Sequence, residues 1–163
     1  MNSLFKTLAL SLIFISATSC KSKIQTVSGF YDYETECVSS DGNGIQTVKA
    51  WGTGNTEKEA VLNARRRAVD DILFKGIRGG TSFCDVRPII SNPNTRRNEE
   101  QYFYRFFAEG GAFEQFAGLP EENWIRQKLK INKKNKDNLA FEIVIEVDMM
   151  GLKDQMRRDN IIQ

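Results

Sequence analysis

The sequence predicts an α+β domain: an antiparallel sheet of about four strands packed against one long alanine-striped helix, with a phenylalanine-rich second helix. Three observations carry this. Residues 27–37 and 141–147 alternate apolar with polar side chains, the period of two that a half-buried strand requires. Between them Ala60, Ala64, Ala68 and Ile72 recur every four residues, which is the spacing of one helix face. Phe103, Phe106, Phe107, Phe113 and Phe116, five of the eleven phenylalanines, crowd into one stretch.

The chain opens with a targeting pattern. Lys6 is the only charge ahead of the apolar run Leu8 to Ile15, and Ser16-Ala17-Thr18-Ser19 then leads to Cys20. A membrane-spanning helix needs about twenty apolar residues, so this run reads as a secretion signal. The box Ala17-Thr18-Ser19-Cys20 resembles a bacterial lipobox, although Ala17 stands where leucine is usual. The resemblance implies cleavage before Cys20 and lipidation of its thiol. Lys21, rather than aspartate, follows the cysteine, which by analogy with lipoprotein sorting implies the outer membrane. The expected organisation is a signal peptide at 1–19, a lipidated tether at 20–25 and a single domain at 26–163.

Removing residues 1–19 from the 163 leaves 144, enough for one domain with its own core. Without Lys6 the 23 cations become 22 against 21 carboxylates. That balance gives no support to nucleic-acid binding, which favours strongly basic domains. With Cys20 assigned to lipid, Cys37 and Cys84 form a pair that an oxidising compartment can join. Two buried reduced thiols are the alternative.

The first strand, from Val27 to Cys37, meets the turn signal Ser39 to Gly44, and Ile45 to Gly52 makes a second strand, so the two form a hairpin. Gly52-Thr53-Gly54-Asn55 breaks that strand. Thr56 with Glu59 three residues later is a capping box opening the long helix, which runs to about Gly76 or Gly79. Pro88, Pro93 and the surrounding asparagines predict a loop with one short strand near Val86 to Ile90. Glu99 to Ala117 has helical spacing interrupted at Gly110-Gly111. Ile125, Leu129 and Ile131 alternate with Arg126, Lys128 and Lys130, and Phe141 to Val147 alternates with carboxylates, predicting a closing hairpin with opposite charges across it. Gly151 to Asn160 reads as a terminal helix.

The strand end Ala50-Trp51-Gly52-Thr53-Gly54, the cap at Thr56 and the residues Glu59, Ala60, Ala64, Ala68 and Ile72 resemble the glycine-turn-alanine-helix signature of a bacterial envelope group. That group comprises small surface-antigen lipoproteins and the N-terminal domain of the flagellar assembly protein FlgT. The resemblance spans Lys49 to Gly76, and it implies a non-catalytic accessory role near outer-membrane assemblies.

The residues point the same way. The sequence has no histidine, which excludes Ser-His-Asp and Cys-His devices and leaves zinc chemistry without its commonest ligand. No P-loop lysine follows Gly52-x-Gly54, so that turn reads as a tight strand-to-helix connection rather than a phosphate cradle. Asp70 and Asp71 are adjacent on a helix and point apart. No catalytic residue, metal ligand or cofactor is therefore expected. The Arg65-Arg66-Arg67 run reads as a solvated helix face, with anionic lipid or glycan as the functional alternative.

The expected function is that of a non-enzymatic, outer-membrane or periplasmic lipoprotein that binds another envelope protein. A glycan- or small-ligand-binding module using Trp51 or Trp124 is the alternative. Cys20 carries the anchor, Cys37 and Cys84 the disulfide. Tyr102, Phe103, Phe106, Phe107 and Phe113 are the candidate partner contacts, with the domain core as the competing use of those rings.

Overall fold

The computed structural model describes residues 34–80, 83–122, 124–130 and 139–163. Cys20, the tether, the early part of the first expected strand and the turn at 133–138 lie outside them. The elements are β1 (Glu36–Ser40), β2 (Ile45–Gly54), α1 (Glu57–Phe74), α2 (Thr95–Asn98), α3 (Glu100–Phe106), a 3-10 turn (Ala112–Gln115), β3 (Ala117–Gly118), β4 (Ile125–Lys130), β5 (Leu139–Asp148) and α4 (Met149–Arg158).

The fold is α+β, with one five-stranded antiparallel sheet. Its order is β1-β2-β5-β3, and β4 pairs with β5 on the same side as β3. The hairpin turn between β1 and β2 closes because the Asp41 carboxylate accepts from the N–H groups of Asn43 and Ile45 at 2.8 and 3.0 Å. β2 and β5 pair along all ten residues, from Ile45 opposite Asp148 to Gly54 opposite Leu139.

Alternation along these two central strands sends Val48, Ala50, Phe141, Ile143, Ile145 and Val147 to one face, where all are buried. α1 lies on that face. Its alanines at 60, 64 and 68 are fully buried with Val69, Ile72 and Leu73, so the stripe is the contact surface. Small side chains bring the helix unusually near. A Cβ on Gly52 would stand 1.8 Å from the Ala60 carbonyl oxygen, which makes glycine obligatory there. The turn at Gly52 to Gly54 thus exists to seat the helix.

The capping box forms as expected, with one difference. Thr56 Oγ1 accepts from the Glu59 N–H at 3.2 Å, but the Glu59 carboxylate reaches back to the N–H of Asn55 rather than that of Thr56.

The structure corrects three expectations. Val86 to Ile90 is not a strand. The N–H groups of Ile89 and Ile90 instead donate to the carbonyls of Ile72 and Leu73, satisfying the exposed end of α1. The helical stretch expected from Glu99 to Ala117 is one short helix, α3, that already ends at Phe106, followed by a 3-10 turn, and the short α2 lies in the stretch expected to be loop. The β4–β5 hairpin exists, but a bulge between Ile125 and Gln127 shifts its register. Lys128 lies opposite Phe141 and Lys130 opposite Leu139, so opposite charges do not face each other directly. Lys128 Nζ rests 5.0 Å from the Phe141 ring centroid instead.

Cys37 and Cys84 are joined in a disulfide across 47 residues of sequence. It ties β1 to the long connection after α1.

Candidate functional site

The structure separates the five aromatic candidates. Phe103 and Phe106 are 4 % exposed and Phe113 is fully buried, all within the main core. Phe103 meets Phe74 edge-on at 4.8 Å, and Phe106 meets Phe107 edge-on at 5.0 Å. These three rings belong to the core, and they offer a partner no surface. Tyr102 is half-buried and committed as well. Its hydroxyl donates to the Asp159 carboxylate at 2.6 Å, fastening α3 to the end of α4. Burial, and then the neighbouring Asp159 charge, hold the Tyr102 phenol well above its ordinary pKa. Phe107 is half-buried, at the edge of the cluster. The ring that does face solvent is Tyr104, 80 % exposed, which the sequence reading did not single out.

The arginine run is not a solvated face. Arg65 donates to the carbonyls of Ala117 and Glu114, and pairs with the Glu114 carboxylate at 3.4 Å. Arg66 donates to the Phe107 carbonyl at 2.8 Å and to Asn63 at 2.6 Å, while its guanidinium lies 5.5 Å from the Phe113 ring centroid. Arg67 Nε stands 3.8 Å from the carboxylate of Asp71. Arg65 and Arg66 clamp the phenylalanine-rich segment onto α1, satisfying backbone carbonyls that its irregular path leaves without helix partners.

Asp70 and Asp71 point apart, as their adjacency requires. Asp71 is buried and held from two sides, by the Thr35 hydroxyl at 2.6 Å and Lys75 Nζ at 2.8 Å. Asp70 takes Arg96 at 2.7 Å.

Between the far half of β2, the outer side of α1 and α3 runs an open groove of about 860 Å³. Trp51 and Thr53 form one wall, Asn63, Arg66 and Asp70 the floor, and Glu100, Tyr104 and Phe107 the other wall. Its polar groups are fixed in advance. Asn63 Nδ2 donates to the Thr53 carbonyl at 2.8 Å, Arg66 is held by Phe107 and Asn63, and Arg96 is held by Asp70 with its guanidinium 4.8 Å from the Phe74 ring. The volume lies within the range of small-molecule sites, but the opening is that of a trough. Trp124 sits elsewhere, half-buried in a hollow of about 540 Å³ beside Val61, Leu62 and Arg65.

The groove is hidden in the sequence because its walls come from three segments, the outer two some fifty residues apart. The local signal is the residue chemistry of Trp51 and Tyr104, of which only Trp51 stands apart from other aromatic residues in the sequence. Among the described residues, no three His, Cys, Asp or Glu side chains are grouped to hold a metal ion, and no helix is long and apolar enough to cross a membrane. Comparison of the chain with family models, with curated proteins and with solved structures gives no match.

Proposed function

We propose that this chain is a non-catalytic, lipid-anchored accessory factor of the bacterial envelope, held by Cys20, whose groove receives a segment of another envelope protein. The observation that carries the reading is the composition and rigidity of the groove rim. Trp51, Tyr104, Arg66 and Arg96 line one trough, and tryptophan, tyrosine and arginine are the residues that dominate the energetics of protein interfaces. Both arginines are already held in place, so little side-chain freedom is lost when a partner arrives. Charges of both signs, from Arg66 and Arg96 to Glu100 and Glu109, suit a polypeptide with mixed side chains better than a uniformly charged polymer. The Cys37–Cys84 bond supports a location outside the reducing cytoplasm.

A glycan is the second reading, favoured by the pairing of Trp51 with the Asn63 amide in a concave surface. Site-specific photocrosslinking in intact cells separates the two. A benzophenone side chain at position 104 is expected to capture a defined envelope protein, whereas the same group at position 83, 82 % exposed and away from the groove, is expected not to. Tyr104→Ala should then lower binding of the captured partner by about thirtyfold, the loss typical of an interface hot spot. Equal capture from both positions, or adducts with cell-wall glycan alone, refutes the protein-partner reading.

A further inference from the structure

Several basic side chains of the helices and of β2 meet a carboxylate: Lys49 with Glu36, Lys75 with Asp71, Arg96 with Asp70, Lys153 with Asp85, Arg157 with Asp154. On β4, Arg126 and Lys128 are exposed, and among the described residues neither forms a salt bridge; Lys128 Nζ lies 5.0 Å from the Phe141 ring centroid. Lys130 follows two residues on in the same strand. In sequence, the stretch from Arg126 to Lys136 holds six cations (126, 128, 130, 133, 134, 136) and no carboxylate.

The sheet places this strand at a particular end of the molecule. Lys130 pairs with Leu139, and Leu139 pairs with Gly54 at the end of β2. β1 runs antiparallel to β2, with Glu36 opposite Lys49 and Ser40 opposite Gln46. The chain therefore comes into β1 from the Gly54 end of the sheet, the end where Lys130 lies. Cys20 precedes Glu34 by 14 residues, a reach of at most about 50 Å. A lipid at Cys20 and the basic strand are thus directed to one end of the domain.

We propose that the basic edge strand β4, through the exposed Arg126 and Lys128 and with Lys130 next along the strand, rests on the anionic headgroups of the bilayer that holds the lipid anchor. The inference rests on the anchored reading above. A basic segment held near a membrane gains about fivefold in surface affinity for each cation, through attraction that salt screens. The contact is a second hold on the membrane besides the acyl chains, and it sets which way the domain faces. With β4 against the lipid, the groove between β2 and α3 opens on the side of α1 away from that strand, because β4 and β2 flank β5 on opposite sides.

The test uses the full protein as the cell processes it, purified in detergent and reconstituted into vesicles of phosphatidylcholine alone or with phosphatidylglycerol. Lysine acetylation is followed residue by residue by mass spectrometry. Lys128 is expected to react about fivefold more slowly on the phosphatidylglycerol vesicles, and high salt should restore its rate. Lys153, on α4 at the opposite end of β5, should react equally on both. Arg126→Gln with Lys130→Gln should abolish the protection of Lys128 while leaving the Lys153 rate and the near-ultraviolet circular dichroism unchanged.

Equal Lys128 rates on the two vesicles overturn the proposal, as does protection that survives high salt. The mass of the Cys20 peptide separates this from the anchored reading. An acylated peptide without lipid-dependent protection refutes the basic contact alone. An unmodified Cys20 refutes the anchor, and salt-sensitive adsorption to phosphatidylglycerol vesicles would then uphold the basic surface by itself.

Discussion

Gly52→Ala tests the account of how α1 meets the sheet. The added Cβ would stand 1.8 Å from the Ala60 carbonyl oxygen, 2.5 Å from the Ala64 nitrogen and 2.8 Å from the Ala64 Cβ. Two of these are backbone atoms, so no rotamer change relieves them. Side-chain Cβ atoms essentially never approach closer than 3.0 Å, and the helix must therefore lift by at least 1.2 Å, the difference between 3.0 and 1.8 Å. A gap of 0.5–1 Å already forfeits a quarter to a half of the dispersion energy across a contact. Here the contact is the whole Ala60, Ala64 and Ala68 stripe against Val48, Ala50, Phe141 and Ile143. The cost is about 3 kcal/mol or more, at the upper end of overpacking effects. Urea unfolding followed by tryptophan fluorescence would measure it, and the Tm should fall by about 10 °C. Gly42→Ala is the control. It meets nothing within 4 Å, although its φ of +74° carries a modest backbone penalty, so it should cost about 1 kcal/mol. A Gly52→Ala protein within about 1 kcal/mol of wild type would show that the stripe is loosely seated, and the reasoning would fail.

Other perturbations address separate parts of the structure. Reduction of Cys37–Cys84, or Cys84→Ser with Cys37→Ser, should remove about 4 kcal/mol, the loop-closure entropy of the 47-residue span; urea midpoints with and without reductant give the number directly. Thr35→Val deletes the hydroxyl that donates to the buried Asp71 carboxylate and should cost about 2 kcal/mol, whereas Glu36→Gln, which breaks an exposed pair with Lys49, should cost less than about 1 kcal/mol. Asp159 is held below its ordinary pKa by the Tyr102 hydroxyl first and by Gln155 second. Because the folded value lies below the unfolded one, this contribution is complete above about pH 4 and is lost as the pH falls through the folded value. Tyr102 has the opposite sense. Its phenol is raised, so stability declines above about pH 10, where the unfolded chain ionises its tyrosine first. Tyr102→Phe should flatten both limbs of the stability–pH curve, and an unchanged acid limb would contradict the hydrogen-bond assignment.

The parts of the fold that were legible in the sequence are those built from local repetition. The alanine stripe of α1, its Thr56–Glu59 cap and the alternation along β5 each state their face within a few residues. The cysteine pair was legible by elimination once Cys20 was set aside, although sequence left reduced thiols open as an alternative. What escaped depended on contacts between distant segments. Ile89 and Ile90 have the composition of a strand, yet their N–H groups serve the last carbonyls of α1, a use that no local pattern encodes. The bulge at Ile125 to Gln127 shifts one residue and so changes every cross-strand partner of β4. Arg65 and Arg66 look like surface in a helical wheel, and become clamps only because an irregular segment needs donors for its carbonyls. The same segment gave five phenylalanines of one apparent kind, and burial sorted them. Tyr104 alone in that stretch stands out into solvent, at the rim of a groove whose opposite wall lies some fifty residues earlier.

The disulfide also has a mechanical consequence. β1 is gripped along both edges, by Lys49 opposite Glu36 on one side and by Arg78 on the other, where Cys37 donates to the Arg78 carbonyl and Arg78 to that of Thr35, each at 2.9 Å. A pull arriving along the backbone from the N-terminal side loads those short bonds in shear and then meets a covalent junction at Cys37. From there tension divides between β1 itself and, through Cys84, the connection behind α1. Tugging at that end of the chain therefore enters the domain by two covalent branches at once, and no single turn or strand bears the whole load.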